Sequence, residues 1–93
     1  MAELPSMAPQ ERPRLAGHFR LQWEEAQKAW VLLYPEGMVK LNGSAGEIMR
    51  RIDGRKTVGE IVEELEHAFA TEGLAQDVHD FLVIAQQQGW VRT

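Results

Sequence analysis

With 93 residues, 44% of them hydrophobic, and no cysteine, the chain reads as one small domain held by packing alone, without disulfides, thiolate nucleophiles or thiolate metal sites. A domain of this size buries only ~60% of its unfolded surface, so a surface groove is easier to build than a deep active-site cavity. The net charge of −4 is uneven: nine Lys/Arg against seven Asp/Glu over 1–56 make +2, and one against seven over 57–93 make −6, which argues against nucleic acid as the main partner and favours a peptide or protein.

Residues 1–14 carry Pro5, Pro9 and Pro13 without apolar periodicity. They are predicted to form a mobile arm, either a tail without a role or a segment exchanged with a second copy in a homodimer. This start has no apolar core of a signal peptide, and no stretch approaches the ~18 apolar residues of a membrane span. A soluble cytoplasmic protein is the expectation.

From Leu15 the pattern changes, and Phe19, Leu21 and Trp23 alternate with Arg20, Gln22 and Glu24. Period two predicts a half-buried strand, broken by Glu24-Glu25-Ala26-Gln27. The next run, Ala29-Trp30-Val31-Leu32-Leu33-Tyr34, is apolar on both faces and reads as a central strand. Tyr34-Pro35-Glu36-Gly37 has the residues of a type I turn, which makes Gly37-Met38-Val39-Lys40-Leu41 a third strand folded back on the second. If the strands pair in chain order, this one is outermost, with one row of backbone groups unpaired and with Val39 and Leu41 on the opposite face from Met38 and Lys40.

Two capping boxes are predicted next, Ser44 with Glu47 and Thr57 with Glu60. Behind the first, Ala45, Ile48, Met49 and Ile52 form an apolar stripe that Gly54 stops. Behind the second, Val58, Ile61, Val62, Leu65 and Phe69 form another, with Glu60, Glu63, Glu64 and Glu66 outward. A third helix is predicted from Asp77 to Gly89, with Val78, Phe81, Leu82 and Ala85 as its stripe and Val83 and Ile84 widening it. Trp90 and Val91 add a short strand or tuck into the core. Three antiparallel strands followed by three helices predict an α+β domain of winged-helix type.

Catalytic constellations are not found. His18, His67 and His79 lack ligand spacing, so no metal is expected, and the glutamates of the second helix read as a solvated face. With no phosphate loop, nucleophile elbow or Ser/His/Asp pattern, the chain is expected to be neither an enzyme nor a cofactor carrier. The cluster Arg50-Arg51-Ile52-Asp53-Gly54-Arg55-Lys56 admits three readings: cations complementing a helix C-terminus, a docking patch for an acidic protein, or phosphate contacts. The third is disfavoured because residues 77–89 hold Asp77 and Asp80 and no Lys or Arg, unlike a recognition helix.

The run Trp30-Val31-Leu32-Leu33-Tyr34-Pro35-Glu36-Gly37-Met38-Val39-Lys40-Leu41-Asn42, then Asp53-Gly54, Thr57-Val58-Gly59-Glu60-Ile61-Val62-Glu63-Glu64-Leu65 and Gly89-Trp90-Val91, resembles the PqqD family of pyrroloquinoline quinone (PQQ) biosynthesis over residues 15–93. The resemblance implies a peptide chaperone that binds the precursor peptide PqqA and presents it to the radical SAM enzyme PqqE. It also implies that the peptide is held as an added strand beside the third strand, in a groove closed by the third helix. The positions implied are Met38, Val39, Lys40 and Leu41 on the strand and Val78, Phe81, Leu82 and Ala85 on the helix. Arg50, Arg51, Arg55 and Lys56 are the residues expected to dock the enzyme.

The alternatives that remain are a nucleic-acid-binding winged helix and a dimeric interaction module. Strand addition alone falls short of micromolar binding, because about five peptide residues form hydrogen bonds worth about 2–7 kcal/mol in all and lose about 2–5 kcal/mol to ordering. Micromolar binding needs about −8 kcal/mol, so the groove must also bury ~300 Å² of apolar surface.

Overall fold

The apolar run 29–34 lies at the centre of a three-stranded antiparallel sheet. A computed structural model describes residues 7–93, in the order β1 (Arg14–Leu15), β2 (Arg20–Glu24), β3 (Ala29–Tyr34), β4 (Gly37–Lys40), α1 (Gly43–Met49), α2 (Val58–Ala68), α3 (Ala75–Gln87) and β5 (Val91–Arg92). The larger sheet has the order β2-β3-β4, so the chain-order pairing and the α+β class expected from the pattern are found. A second sheet pairs β1 with β5, with Leu15 opposite Val91 and Arg14 opposite Arg92. Two residues per strand are too few to show a period, which is why the sequence pattern did not reveal β1.

One face of the sheet meets the helices. Leu32 and Leu41 enter a core with Ile48 and Met49 of α1, Ile61, Val62 and Leu65 of α2, Val78, Leu82 and Ala85 of α3, and Val91. Helix α1 approaches so closely that a Cβ on Gly46 would stand 2.9 Å from Trp30 Cδ1. Glycine is required at 46 for this contact, despite its cost inside a helix. Among the described residues no helix is long and apolar enough to cross a membrane.

The capping box at Thr57 forms as expected: Glu60 N–H donates to Thr57 Oγ1 at 3.1 Å and Thr57 N–H to Glu60 Oε1 at 2.8 Å. The other helix limits differ. Helix α1 is capped by Asn42, whose Oδ1 accepts from Ala45 N–H at 2.7 Å, and Ser44 sits inside the first turn and donates to the same oxygen. Glu47 turns instead to Arg51, at 2.7 Å. The helix ends at Met49, so Ile52 packs on the core from a loop, and Gly54 takes a φ of +79° beyond the helix. Helix α3 starts at Ala75, two positions early, because Glu66 Oε2 reaches across to accept from Leu74 N–H at 3.0 Å. Phe69, expected in the core stripe, stands just past the end of α2 and is 52% exposed.

The predicted mobile arm needs correction over its described part. Residues 7–14 form a strap along the domain, with Met7 only 2% exposed in the core and Pro13 fully buried. Its carbonyls accept from the loop and first turn ahead of α2: Pro9 from Gly59 N–H, Glu11 from Val58 N–H and Pro13 from Gly54 N–H, at 2.9, 2.8 and 3.0 Å. Prolines remove donors, not acceptors, so a proline-rich segment suits a place where only carbonyls are needed. Residues 1–6, the rest of the expected arm, lie outside the described residues.

Two outcomes follow. Met7→Ala lowers unfolding free energy by about 2–5 kcal/mol, as for other buried methionines, and shifts the urea midpoint, whereas a free arm would leave it unchanged. The Glu60 carboxyl is held below the usual range by the Thr57 backbone N–H and then the Thr57 hydroxyl, and Asp53 by the N–H groups of Lys56 and then Arg55. A depressed carboxylate stabilises the fold above its unfolded pKa and loses that contribution as pH falls through its folded pKa, so urea midpoints drop below about pH 4. Glu60→Gln keeps an acceptor for Thr57 but no charge, and its acid-side fall is shallower than that of the natural chain.

Candidate functional site

The exposed edge of β4 is defined by register. Tyr34 stands opposite Gly37, Leu33 opposite Met38, Leu32 opposite Val39 and Val31 opposite Lys40. Leu41 N–H donates to Trp30 O at 3.0 Å, which continues the register and marks 30 with 41 as a hydrogen-bonded pair. Antiparallel pairs alternate, so Val39 and Gly37 also face β3. Met38 and Lys40 therefore direct their N–H and C=O groups away from the sheet, two on each and four in all. No strand among the described residues covers them.

Side chains follow the same alternation. Val39 and Leu41 turn to the core, Leu41 at 5% exposure, while Met38 at 50% and Lys40 lie on the open face. Of the four strand positions expected to hold a peptide, Met38 and Lys40 thus present backbone and side chain, and Leu41 presents neither.

The edge runs by way of Leu41 to Asn42 at the mouth of a groove of about 710 Å³. The groove lies between the start of α1 (Asn42, Gly43, Ser44, Ala45, Glu47, Ile48), the end of α2 (Leu65, Phe69, Thr71) and the start of α3 (Leu74, Asp77, Val78, Phe81). Its walls are mostly hydrocarbon, with Asn42, Glu47 and Asp77 among its polar residues. Phe69, Leu74 and Phe81 are the large apolar side chains that keep solvent contact.

Helix α3 divides differently from the expectation. Phe81 lines the groove half-buried, and Val78, at 2% exposure, belongs to its inner wall. Leu82 and Ala85, both 0% exposed, serve the core and do not line the groove. Two helical steps from Val78 to Ala85 rotate the stripe under α2 and β5, so one apolar stripe is shared between core and groove. Of the pair that widened it, Val83 packs on the core and Ile84 is 52% exposed. Asn42, Ser44, Phe69 and Leu74 were not singled out for the site. In the sequence Phe69 continues the stripe of Ile61, Val62 and Leu65, and only the end of α2 at Ala68 separates it from the core.

The four basic positions do not form one free patch. Arg51 is only 11% exposed, with its guanidinium 2.7 Å from Glu47 and 3.5 Å from Glu64. Lys56 pairs with Glu64 at 2.9 Å, and Arg50 lies 3.4 Å from Glu47. Arg51, between Glu47 of α1 and Glu64 of α2, ties the two helices together. Arg55 alone of the four makes no ion pair among the described residues. His18, His67 and His79 are exposed and apart, and no metal-holding group of His, Asp and Glu occurs among the described residues.

Comparison with known proteins places this geometry. The family model described as "Coenzyme PQQ synthesis protein D (PqqD)" matches residues 29–91. The chain is 46% identical over 80 residues to the PqqA binding protein of Azotobacter vinelandii, covering 85% of this chain and 87% of that one. It is 40% identical over 87 residues to the PqqA binding protein of Methylococcus capsulatus, covering 94% of each. Among solved structures, the solution structure of the PqqD part of Methylobacterium extorquens PqqCD, described as a stand-alone RiPP recognition element, superposes with a TM-score of 0.82 at 26% identity, over 99% of this chain and 100% of that one. The crystal structure of PqqD from Xanthomonas campestris does so with a TM-score of 0.58 at 28% identity, over 95% and 100%. With a family match across most of its length, relatives of near-equal size, and the same sheet and helices, the chain belongs to the PqqD family.

Proposed function

We propose that the chain is a peptide-binding module of PQQ biosynthesis that takes the precursor peptide PqqA as a fourth strand on β4 and carries it to the radical SAM enzyme PqqE. It performs no catalysis itself and works in the cytoplasm. The observation that carries this reading is the continuity between an unpaired strand edge and an apolar groove.

Each part supplies what the other lacks. An added strand can form hydrogen bonds with the two groups on each of Met38 and Lys40, about 2–6 kcal/mol in all, against about 2–5 kcal/mol for ordering the peptide. Backbone pairing is thus nearly neutral and reads no sequence. The groove beside Phe69 and Phe81 adds apolar burial at ~25 cal/mol per Å², so ~300 Å² of peptide surface buried there suffices for micromolar binding. It also adds selection, since only a peptide with apolar side chains placed beyond the paired segment fills it. The PqqA-binding names of the relatives support the same reading.

Hydrogen exchange tests it directly. In the free protein the amides of Met38 and Lys40 exchange faster than those of Val39 and Leu41, which are bonded to β3. Saturating PqqA protects Met38 and Lys40 and moves the amide resonances of residues 42–48, Phe69 and Phe81. Unchanged exchange at Met38 and Lys40 in a chain that binds PqqA would place the peptide elsewhere. Met38→Pro removes one outward donor and spares the β3 ladder, so it weakens PqqA binding by about 0.5–1.5 kcal/mol with the fold intact. Val39→Pro breaks the ladder and lowers stability as well.

A further inference from the structure

Four arginines from three separate stretches meet beside the start of α2 and the end of α3, the helix ends that do not line the groove. Arg14 and Arg92 are direct cross-strand partners in the β1–β5 sheet. Their neighbours Leu15 and Val91 pack on the core, which sets Arg14 and Arg92 together on the outer face. Arg12 Nε donates to the carbonyl of Arg55 at 3.0 Å. The strap and this loop are in close contact, since a Cβ on Gly54 would stand 3.5 Å from Arg14 Cβ.

All four are exposed, and none is in an ion pair among the described residues. Glu11, Asp53 and Glu60 border the face. Asp53 accepts from the N–H groups of Arg55 and Lys56 and Glu60 from Thr57, and their charges are also felt by Arg55 and Arg12 respectively, which leaves Arg14 and Arg92 as the pair with no carboxylate bonded to either among the described residues. Like charges placed directly opposite on two strands are destabilising, so the Arg14–Arg92 pair works against the small sheet that holds it. Of the other six Lys/Arg, Lys28, Arg50, Arg51 and Lys56 are in ion pairs, while Arg20 and Lys40 stand singly on the sheet.

We propose that Arg12, Arg14, Arg55 and Arg92 form a docking face for a carboxylate-rich surface of a protein partner, used while the peptide occupies β4 and the groove. Guanidinium forks accept carboxylates in pairs, and four of them on short, backbone-anchored segments suit a compact acidic patch. A nucleic acid fits less well, because its extended phosphates would meet the −6 of residues 57–93, including Glu63 on α2 and Asp77 and Asp80 on α3. The placement allows simultaneous use: the strap crosses the start of α2 and β5 follows the end of α3, whereas the groove lies at the end of α2 and the start of α3. The 11 residues of α2 put ~16 Å between the two surfaces.

Taking PqqE as the partner rests on the function proposed above, and the test separates the two ideas. Binding of the full chain to PqqE, with PqqA present, is measured for the natural chain, Arg14→Gln/Arg92→Gln, Arg14→Lys/Arg92→Lys, and Lys28→Gln as a control in the β2–β3 turn. The glutamine pair is expected to weaken PqqE binding about tenfold, as two exposed charge pairs would. PqqA affinity stays within about twofold, and the melting temperature is unchanged or higher because the cross-strand repulsion is gone. The lysine pair restores part of the binding, and Lys28→Gln changes nothing. Undiminished PqqE binding by the glutamine pair overturns the docking face and leaves the peptide-carrying function standing. Absence of PqqE binding by the natural chain overturns both. Capture of a 12-base-pair DNA duplex by the natural chain, lost in the glutamine pair, overturns the protein partner and assigns the face to phosphate.

Discussion

The rest of the structure depends on how the first turn of α2 satisfies its backbone donors. Four N–H groups at a helix start have no partner within the helix. Here Thr57 N–H goes to the Glu60 carboxylate, Glu60 N–H to the Thr57 hydroxyl, Val58 N–H to the Glu11 carbonyl and Gly59 N–H to the Pro9 carbonyl. The first two bonds are local and the last two fasten a segment more than forty positions earlier in the chain. That fastening carries Met7 into the core and directs β1 to its partner β5, which closes the C-terminal end over α3. Gly59 belongs to the same device through its N–H bond, and a Cβ there would just touch the Pro9 carbonyl at 3.4 Å.

With α2 fixed at its start, its other end decides the groove. The helix stops at Ala68, Phe69 is left outside the core, and Glu66 reaches forward to cap Leu74 and set where α3 begins. The space between the two helix ends and the start of α1 is not filled by side chains, and Asn42 joins it to the free edge of β4. An exposed edge strand by itself favours indiscriminate pairing. Four outward backbone groups limit that tendency to a short segment, and Lys40 places a charge on it. In the proposed reading selection falls to the groove, whose shape is set by three helices packed on one core.

The charges divide into those used within the fold and those left outside it. Glu47, Glu64, Arg51 and Lys56 form a network that binds α1 to α2, and Asp53 and Glu60 order the loop and cap between them. Arg51 is largely buried at the centre of this network and its partners are half-buried, so the pairs mainly fix the geometry between α1 and α2. Arg12 ties the strap to the loop through the Arg55 carbonyl, whereas Arg14 and Arg92 take no part in that network.

Much of this was legible in the residues. Alternation at 19–24, the doubly apolar run 29–34 and the Pro35 turn determined three strands in order and placed β4 at the edge, and Thr57 with Glu60 determined where α2 starts, because these signals act between neighbours in the chain. The family was legible for the same reason, in the run 30–42. What only the tertiary structure decided depends on distant partners. The cap of α1 passed from Ser44 to Asn42 because the chain leaves β4 in an extended conformation at Asn42. The strap was hidden because its contacts are carbonyls meeting another segment's N–H groups, which leave no periodic mark. Leu82 and Ala85 share a helical face with Phe81, and only the packing of α2 and β5 against α3 separates core from groove. Arg14 and Arg92 stand 78 positions apart. No local pattern could bring them together, and the pairing of two dipeptides in space does.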